Sequence, residues 1–298
     1  MNTHRHPGDT LRELMKSHCV GLPGAFNGMC ARAVKDAGFH GTYVSGAAVT
    51  ASFGVPDIGL LTVNEFTNVI RQVSQSSGLP VIADADTGFG EGEMVTRTVI
   101  EYHRAGAAGL HIEDQVFPKR CGHLDGKTLL PADDFARKVA IARAASDKHT
   151  DGSFIVCART DAAGVTGIDD AIDRAKRYID AGAHMIFPEG LHSEAEFAQA
   201  AKAIRAYSDK TYLLANMTEF GKTPIIPLKR FEQLGYHCVI WPVSTLRSAM
   251  GEVQRLLANI KRDGTVTASL DNMLDRKNLY RLLGYTPGTE WQYPGTPK

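Results

Sequence analysis

A recurring helix-stop signal constrains the fold of this chain more than any other feature. Amphipathic stretches close on glycine at Asp36-Ala37-Gly38, Arg104-Ala105-Gly106, Asp180-Ala181-Gly182 and Gln233-Leu234-Gly235, and a short apolar run follows each. Glycine accepts the left-handed backbone that ends a helix, so each signal reads as a helix feeding a strand. The strands predicted after these stops are Gly41 to Val44, Ala108 to Ile112, His184 to Phe187 and Cys238 to Trp241. Similar runs at Cys19 to Leu22, Leu79 to Ala83, Phe154 to Ala158 and Tyr212 to Ala215 bring the set to eight. Helical periodicity fills the intervals at Val63 to Gln75, Met94 to Ala105, Asp134 to Ala145, Ile168 to Ala181, Glu194 to Tyr207 and Leu246 to Lys261.

Eight strand-helix units with nearly continuous apolar strands predict an α/β protein, a parallel (β/α)8 TIM barrel, as one domain over residues 1–298. A doubly wound open sheet is the competing architecture, and the regular count and spacing favour closure. Residues 268–298 form a C-terminal segment, with an additional helix at Leu270 to Leu283 and an irregular Pro/Gly-rich end at Thr286 to Lys298. That helix has no local partner, so it is expected to pack on a neighbouring subunit.

Charge narrows the partner. Thirty-three basic and thirty-three acidic side chains cancel, so no net field draws nucleic acid or an anionic membrane, and a small molecule is expected. Cys19, Cys30, Cys121, Cys157 and Cys238 are scattered and form no CxxC pair, which reads as reduced thiols in a cytosol. The polar stretch Met1 to Thr10 carries no apolar segment, so a soluble cytoplasmic protein is expected.

A barrel places its chemistry at the carboxyl ends of its strands. Those positions hold Tyr43 and Ser45, Asp84 and Asp86, Glu113, Arg159 and Asp161, Glu189, Asn216 and Thr218, then Pro242 and Ser244. Desolvated carboxylates gathered on one rim are costly unless they share a task. In Lys119-Arg120-Cys121-Gly122-His123 one thiol stands among two cations and an imidazole, neighbours that stabilise a thiolate and hold a proton for exchange near neutral pH. Taken alone, the same five residues are equally compatible with a basic surface turn.

Asp84-Ala85-Asp86 is the strongest part of the rim. Alternation along an extended strand aims both carboxylates into one space, where they need a cation. Hard oxygen ligands with room for water suit Mg²⁺, with Mn²⁺ as a substitute, and Asp57 and Glu113 are available to hold metal-bound waters. The competing reading has one Asp capping a helix and the other pairing with Arg. Gly88-Phe89-Gly90-Glu91-Gly92 lacks both GK[ST] and GxGxxG, so it reads as a turn and not a nucleotide loop. His111 and His237 beside apolar strands read as core residues, as does Trp241, whereas His123 sits in a polar loop.

Six motifs in order carry a resemblance over nearly the whole chain. They are Asp57 after Val55-Pro56, Asp84 to Gly90, Glu113-Asp114-Gln115, Pro118 to His123, Ala158-Arg159-Thr160-Asp161 and Phe187-Pro188-Glu189. Together they resemble the isocitrate lyase and phosphoenolpyruvate mutase superfamily. The resemblance implies a helix-swapped barrel, a homotetramer built as a dimer of dimers, an essential Mg²⁺, and carbon-carbon cleavage of a 2-hydroxy di- or tricarboxylate. The Cys in the KRCGH loop resembles the lyase branch and not the phosphonate enzymes. The stretches Asn216 to Gly221 and Trp241 to Arg247 are most similar to 2-methylisocitrate lyases, which implies cleavage to pyruvate and succinate in propionate catabolism.

On that resemblance Cys121 is the acid that protonates the carbanionic carbon, with Tyr43 and Glu189 near the hydroxyl proton and Lys119, Arg120 and His123 in the catalytic set. Ser45, Gly46, Ala47, Gly122, Arg159, Asn216, Thr218, Arg247 and Arg276 are candidate substrate contacts. Phe187, Ile240 and Pro242 face the substrate methyl group, where one buried methyl gives roughly 1 to 3 kcal/mol of discrimination. Residues 119–131, a Gly-containing loop, are expected to form a mobile lid. Three departures stand out: Ser45-Gly46-Ala47 replaces a more glycine-rich run, Val116-Phe117-Pro118 is similar to dimethylmalate lyases and oxaloacetate hydrolases, and the tail after Leu283 is short. Those two activities are the alternatives.

Overall fold

The computed structural model describes residues 5–120, 126–221 and 223–294. Its first unit is helix α1 (Pro7–Ser17), strand β1 (Val20–Pro23), helix α2 (Gly28–Asp36) and strand β2 (Thr42–Val44). Helices α3 (Gly46–Ser52) and α4 (Val63–Ser77) precede β3 (Val81–Asp84), then α5 (Glu93–Arg104), β4 (Gly109–Glu113), α6 (Ala132–Thr150) and β5 (Ile155–Thr160). The second half runs α7 (Ile168–Asp180), β6 (Met185–Pro188), α8 (Glu194–Tyr207), β7 (Tyr212–Asn216), α9 (Leu228–Leu234), β8 (Cys238–Trp241), α10 (Ser244–Asp263) and α11 (Arg276–Leu283). All eight expected strands are present, each within two residues of its predicted bounds.

The helix stops behave as their residues demand. Gly38, Gly106, Gly182 and Gly235 have φ of +85°, +94°, +99° and +88°, where a side chain would be strained. Starts are equally local: Asn27 accepts from Cys30 N, Ser193 accepts from Glu196 N, and Thr62 with Glu65 forms a capping box.

Parallel pairing runs β1-β8-β7-β6-β5-β4-β3-β2. The circle closes between β1 and β2, where Gly24 bridges Tyr43, Ala25 N donates to Tyr43 O (2.8 Å) and Thr42 Oγ1 donates to Pro23 O (2.8 Å). The barrel interior packs Leu22, Ile82, Met185, Phe187, Leu214 and Ile240, and a second layer of apolar contacts lies between strands and helices. Helix α1 was not foreseen. It inserts Leu11 and Met15 into the interior cluster from the amino end and so plugs the barrel.

The C-terminal segment differs from expectation. A short 3-10 turn (Thr267–Asn272) and α11 replace one continuous helix, because Asp275 accepts from Asn278 N and so caps a fresh start. Helix α11 lies on α2 of the same chain through the Arg281–Asp36 ion pair (2.6 Å) and a bond from Arg32 to Leu282 O. Helix α10 buries none of its residues, and Met250, Val253, Leu257 and Ile260 form an exposed apolar stripe on it. Among the described residues no helix is long and apolar enough to cross a membrane.

Candidate active site

The carboxyl rim of the barrel closes around a cavity of about 70 Å³ that gathers most of the predicted residues. Tyr43, Ser45, Ala47, Asp57, Asp84, Lys119, Arg159, Phe187, Glu189, Asn216, Thr218, Ile240, Pro242 and Arg247 all line it.

The acids lie on one side. Asp84, ending β3, accepts from Gly46 N and from Asp86 N (both 3.0 Å). A Cβ at position 46 would come within 2.7 Å of Asp84 Oδ2, so glycine is what lets the start of α3 approach the carboxylate. Burial opposes ionisation of Asp84, but the neighbouring His111, then Lys119 and Arg159, and last the bond from Asp86 N hold it below the usual carboxylate range. Asp86 follows with φ +46°, and burial, aided by Asp84 and Asp57, pushes it up to about 7 even with Lys119 beside it. Burial likewise raises Glu113 well above its ordinary value, and neither of its carboxylate oxygens has a hydrogen bond.

Lys119 enters this cluster from the β4–α6 loop. Its ammonium pairs with Asp57 and lies 2.7 Å from Asp86 Oδ1, in poor hydrogen-bond alignment. Burial works against its charge, yet Asp86, Glu113, Asp84 and Asp57 raise its pKa well above normal.

Arg159, from β5, is the opposite pole. Asp161 grips it through Nε and Nη2 (both 3.0 Å), leaving Nη1 3.2 Å from Glu113 and 3.8 Å from Glu189. Asp161 also accepts from Lys127 (2.9 Å), and its own N–H donates to the buried Asp114. Although burial disfavours its charge, Arg159 and Lys127 hold Asp161 far below the usual range. Asn216 donates to Glu189 (3.0 Å). Arg247 is held by Glu219 (3.0 Å) and lies over the Phe220 ring.

Tyr43 and His111 meet at 2.7 Å inside the barrel. Burial raises the Tyr43 phenol well above its ordinary value and lowers His111 to about 4, so the phenol keeps its proton and the imidazole is neutral. With Asp84 Oδ1 3.7 Å from His111 Nδ1, the consistent assignment puts a proton on Nδ1 and makes Nε2 the acceptor for Tyr43. Tyr43 therefore presents a protonated, hydrogen-bonded oxygen at the cavity. His111 is buried and bonded, as a core histidine would be, yet it also underpins the site.

Among the described residues no three His, Cys, Asp or Glu side chains converge at metal-ligand distance. The donor set is nevertheless all hard oxygen, with two buried Glu113 oxygens lacking hydrogen bonds, and six acids face three cations. That donor chemistry suits a divalent ion, for which Asp84 and Asp86 would be the residues to hold it and Asp57 and Glu113 the further acids nearby.

Cys121, Gly122 and His123 are outside the described residues. Arg120 bonds through its backbone to Gln115, and its side chain is exposed near Gly126. Arg276 is exposed at the start of α11 and does not line the cavity. Asp161 was placed on the rim from sequence but given no role there, and Lys127 was not assigned. The i, i+2 spacing of Arg159 and Asp161 was a usable signal for the first, and nothing local marks the second.

A closed barrel whose carboxyl rim sets an acid cluster against a clamped arginine in one small cavity is an enzyme site for small anions. The chain belongs to the phosphoenolpyruvate phosphomutase family, whose sequence pattern matches residues 11–261. A relative from Corynebacterium glutamicum described as probable 2-methylisocitrate lyase 1 is 52% identical, over 91% of this chain and 87% of its own length. The 2-methylisocitrate lyase of Aeropyrum pernix is 44% identical, over 94% and 88%. A crystal structure of 2,3-dimethylmalate lyase, a PEP mutase/isocitrate lyase superfamily member, superposes with a TM-score of 0.86 at 35% identity, over 94% of this chain and 92% of that one.

Proposed function

We propose that this chain cleaves 2-methylisocitrate to pyruvate and succinate. The observation that carries the reading is the facing of an acid cluster and a clamped arginine across a cavity walled by Phe187, Ile240 and Pro242. A bound Mg²⁺ would neutralise the 2-hydroxycarboxylate and acidify its hydroxyl. Loss of that proton lets the adjacent carbon-carbon bond break: the oxygen-bearing carbon becomes the ketone of pyruvate, and the bond's electrons stay on the succinate carbon as an aci-carboxylate. Arg159 Nη1, Asn216 and Thr218 are the contacts for that developing charge. Cys121 is the proposed donor that protonates the carbon, completing succinate. Glu189, within 3.8 Å of Arg159 and bonded to Asn216, is the better candidate near the hydroxyl proton, since Tyr43 holds its own.

The apolar wall favours a methyl-bearing substrate, and Pro242 offers nothing to hold a gem-diol, which argues against oxaloacetate hydrolysis. Purified protein with Mg²⁺ should release pyruvate and succinate from 2-methylisocitrate faster than it turns over isocitrate, 2,3-dimethylmalate or oxaloacetate. Oxalate and acetate from oxaloacetate as the fastest reaction would refute the assignment.

The exposed stripe of α10, none of whose residues is buried in its own chain, supports assembly with further copies, proposed as a homotetramer in which α10, and not α11, is the helix exchanged within each dimer. Free Cys19, Cys30, Cys157 and Cys238 are consistent with a proposed cytoplasmic setting.

A further inference from the structure

The turn that carries the acid pair is an unusual piece of backbone. Asp86 and Phe89 have φ of +46° and +57°, and Gly88 and Gly90 have +96° and +148°. Such a path persists only where its surroundings over-determine it. Three of its carbonyls are held by side chains: Asp84 O accepts from Tyr102 (2.7 Å), Gly88 O from Thr98 (3.1 Å), and Thr87 O from Lys138 Nζ (3.0 Å).

Lys138 differs from the other two donors. Tyr102 and Thr98 belong to α5, the helix the turn leads into, whereas Lys138 reaches across from α6 and is charged. It is 5% exposed, among Phe135, Val139 and Ala142 on the same buried face, where an apolar residue would cost far less. Its only carboxylate neighbour among the described residues is Glu91 (2.6 Å), which is largely in solvent. The peptide before Thr87 is fixed by Glu113 N donating to Asp86 O (2.9 Å), and the peptide after it by Lys138 together with Gly88 N donating to Ala85 O (2.7 Å). Both peptides flanking Thr87 are thus hydrogen-bonded, which restrains the turn next to Asp86.

We propose that Lys138 is a positioning residue for the metal centre: its charge-assisted bond to Thr87 O holds Asp86 in the geometry that takes a divalent ion. This rests on the reading of Asp84 and Asp86 as metal-binding. The test uses the full chain and measures Mn²⁺ binding by calorimetry and by electron paramagnetic resonance of free Mn²⁺, alongside the melting temperature without metal. Lys138→Met should weaken Mn²⁺ by about tenfold or more, the range seen when a partner of a metal ligand is lost. Lys138→Arg should restore most of that, because a guanidinium can donate to the same carbonyl. Glu91→Gln, which removes only the exposed partner, should change affinity less than about twofold. A Lys138→Met chain that melts lower yet binds Mn²⁺ as the unsubstituted protein does would overturn the proposal, as would an equal loss in Glu91→Gln. If Lys138→Met does not fold, Lys138→Gln, too short to reach Thr87 O, decides by the same readout. Asp84→Asn separates the two readings: unaltered Mn²⁺ binding there refutes the metal assignment itself, whereas its loss there with normal binding in the Lys138 variants refutes only the positioning role.

Discussion

Asp161→Asn isolates the buried ion network behind Arg159. Asp161 is fully buried and accepts three charge-assisted hydrogen bonds, two from Arg159 and one from Lys127. The amide is nearly isosteric, so packing is retained while the charge is lost. Its NH₂ can then only face donors on one side. Breaking a buried pair by neutralising one partner costs about 3 to 5 kcal/mol, because the cations are left without compensation. Equilibrium urea unfolding at pH 7 should show that loss, with an unchanged slope. The pH dependence supplies a second check. Since the folded pKa of Asp161 is depressed, its contribution is present above the unfolded value near 3.8 and lost as pH falls toward the lower folded value. The gap between the two proteins should therefore hold from pH 7 to about 5 and narrow below about 4. A difference under about 1 kcal/mol at pH 7 would mean the network does not carry the charge balance argued here. Turnover should fall as well, because the amide NH₂ cannot accept and Arg159 loses one of the two bonds that aim it.

Cys121→Ser should slow carbon-carbon cleavage at least about a hundredfold while substrate still binds, since a hydroxyl is a far weaker acid than a thiol; unchanged turnover removes Cys121 from the mechanism. His184 and His237 each use Nδ1 to accept a strand N–H, from Val156 (3.0 Å) and Leu213 (2.9 Å), and burial holds them near pKa values of about 3 and about 4. The unfolded chain protonates them near about 6.5, so their contribution is intact above that pH and declines as pH drops toward the folded values. Imidazole resonances of either residue titrating between pH 7 and 6 would contradict this. Leu257→Glu, on the exposed stripe of α10, should reduce the assembled mass in light scattering without lowering helix content, and an unaltered mass would show that the stripe is not an interface.

The barrel was legible because its strands are nearly continuous apolar runs bounded by glycine stops, and both signals act within a few residues. The acid pair was legible only in part: β3 ends at Asp84, and Asp86 reaches the cluster through a left-handed turn (φ +46°) that strand alternation does not describe. Helix α1 was not, because its buried face rests on Leu11 and Met15, too short a stripe to register without the barrel mouth that receives it. The break in the C-terminal helix turned on one cap at Asp275, which competes with an otherwise helical pattern.

Residue order alone thus determined the eight units, their sense and most of the strand-end side chains on the carboxyl rim. Tertiary structure decided which charges are buried and whom they face. Lys119, Lys127 and Lys138 have the same side chain, yet one enters the acid cluster, one braces Asp161 and one holds a carbonyl behind Asp86. In a sequence, lysine reads as solvated, because only packing from distant elements can remove its water and make a partner obligatory.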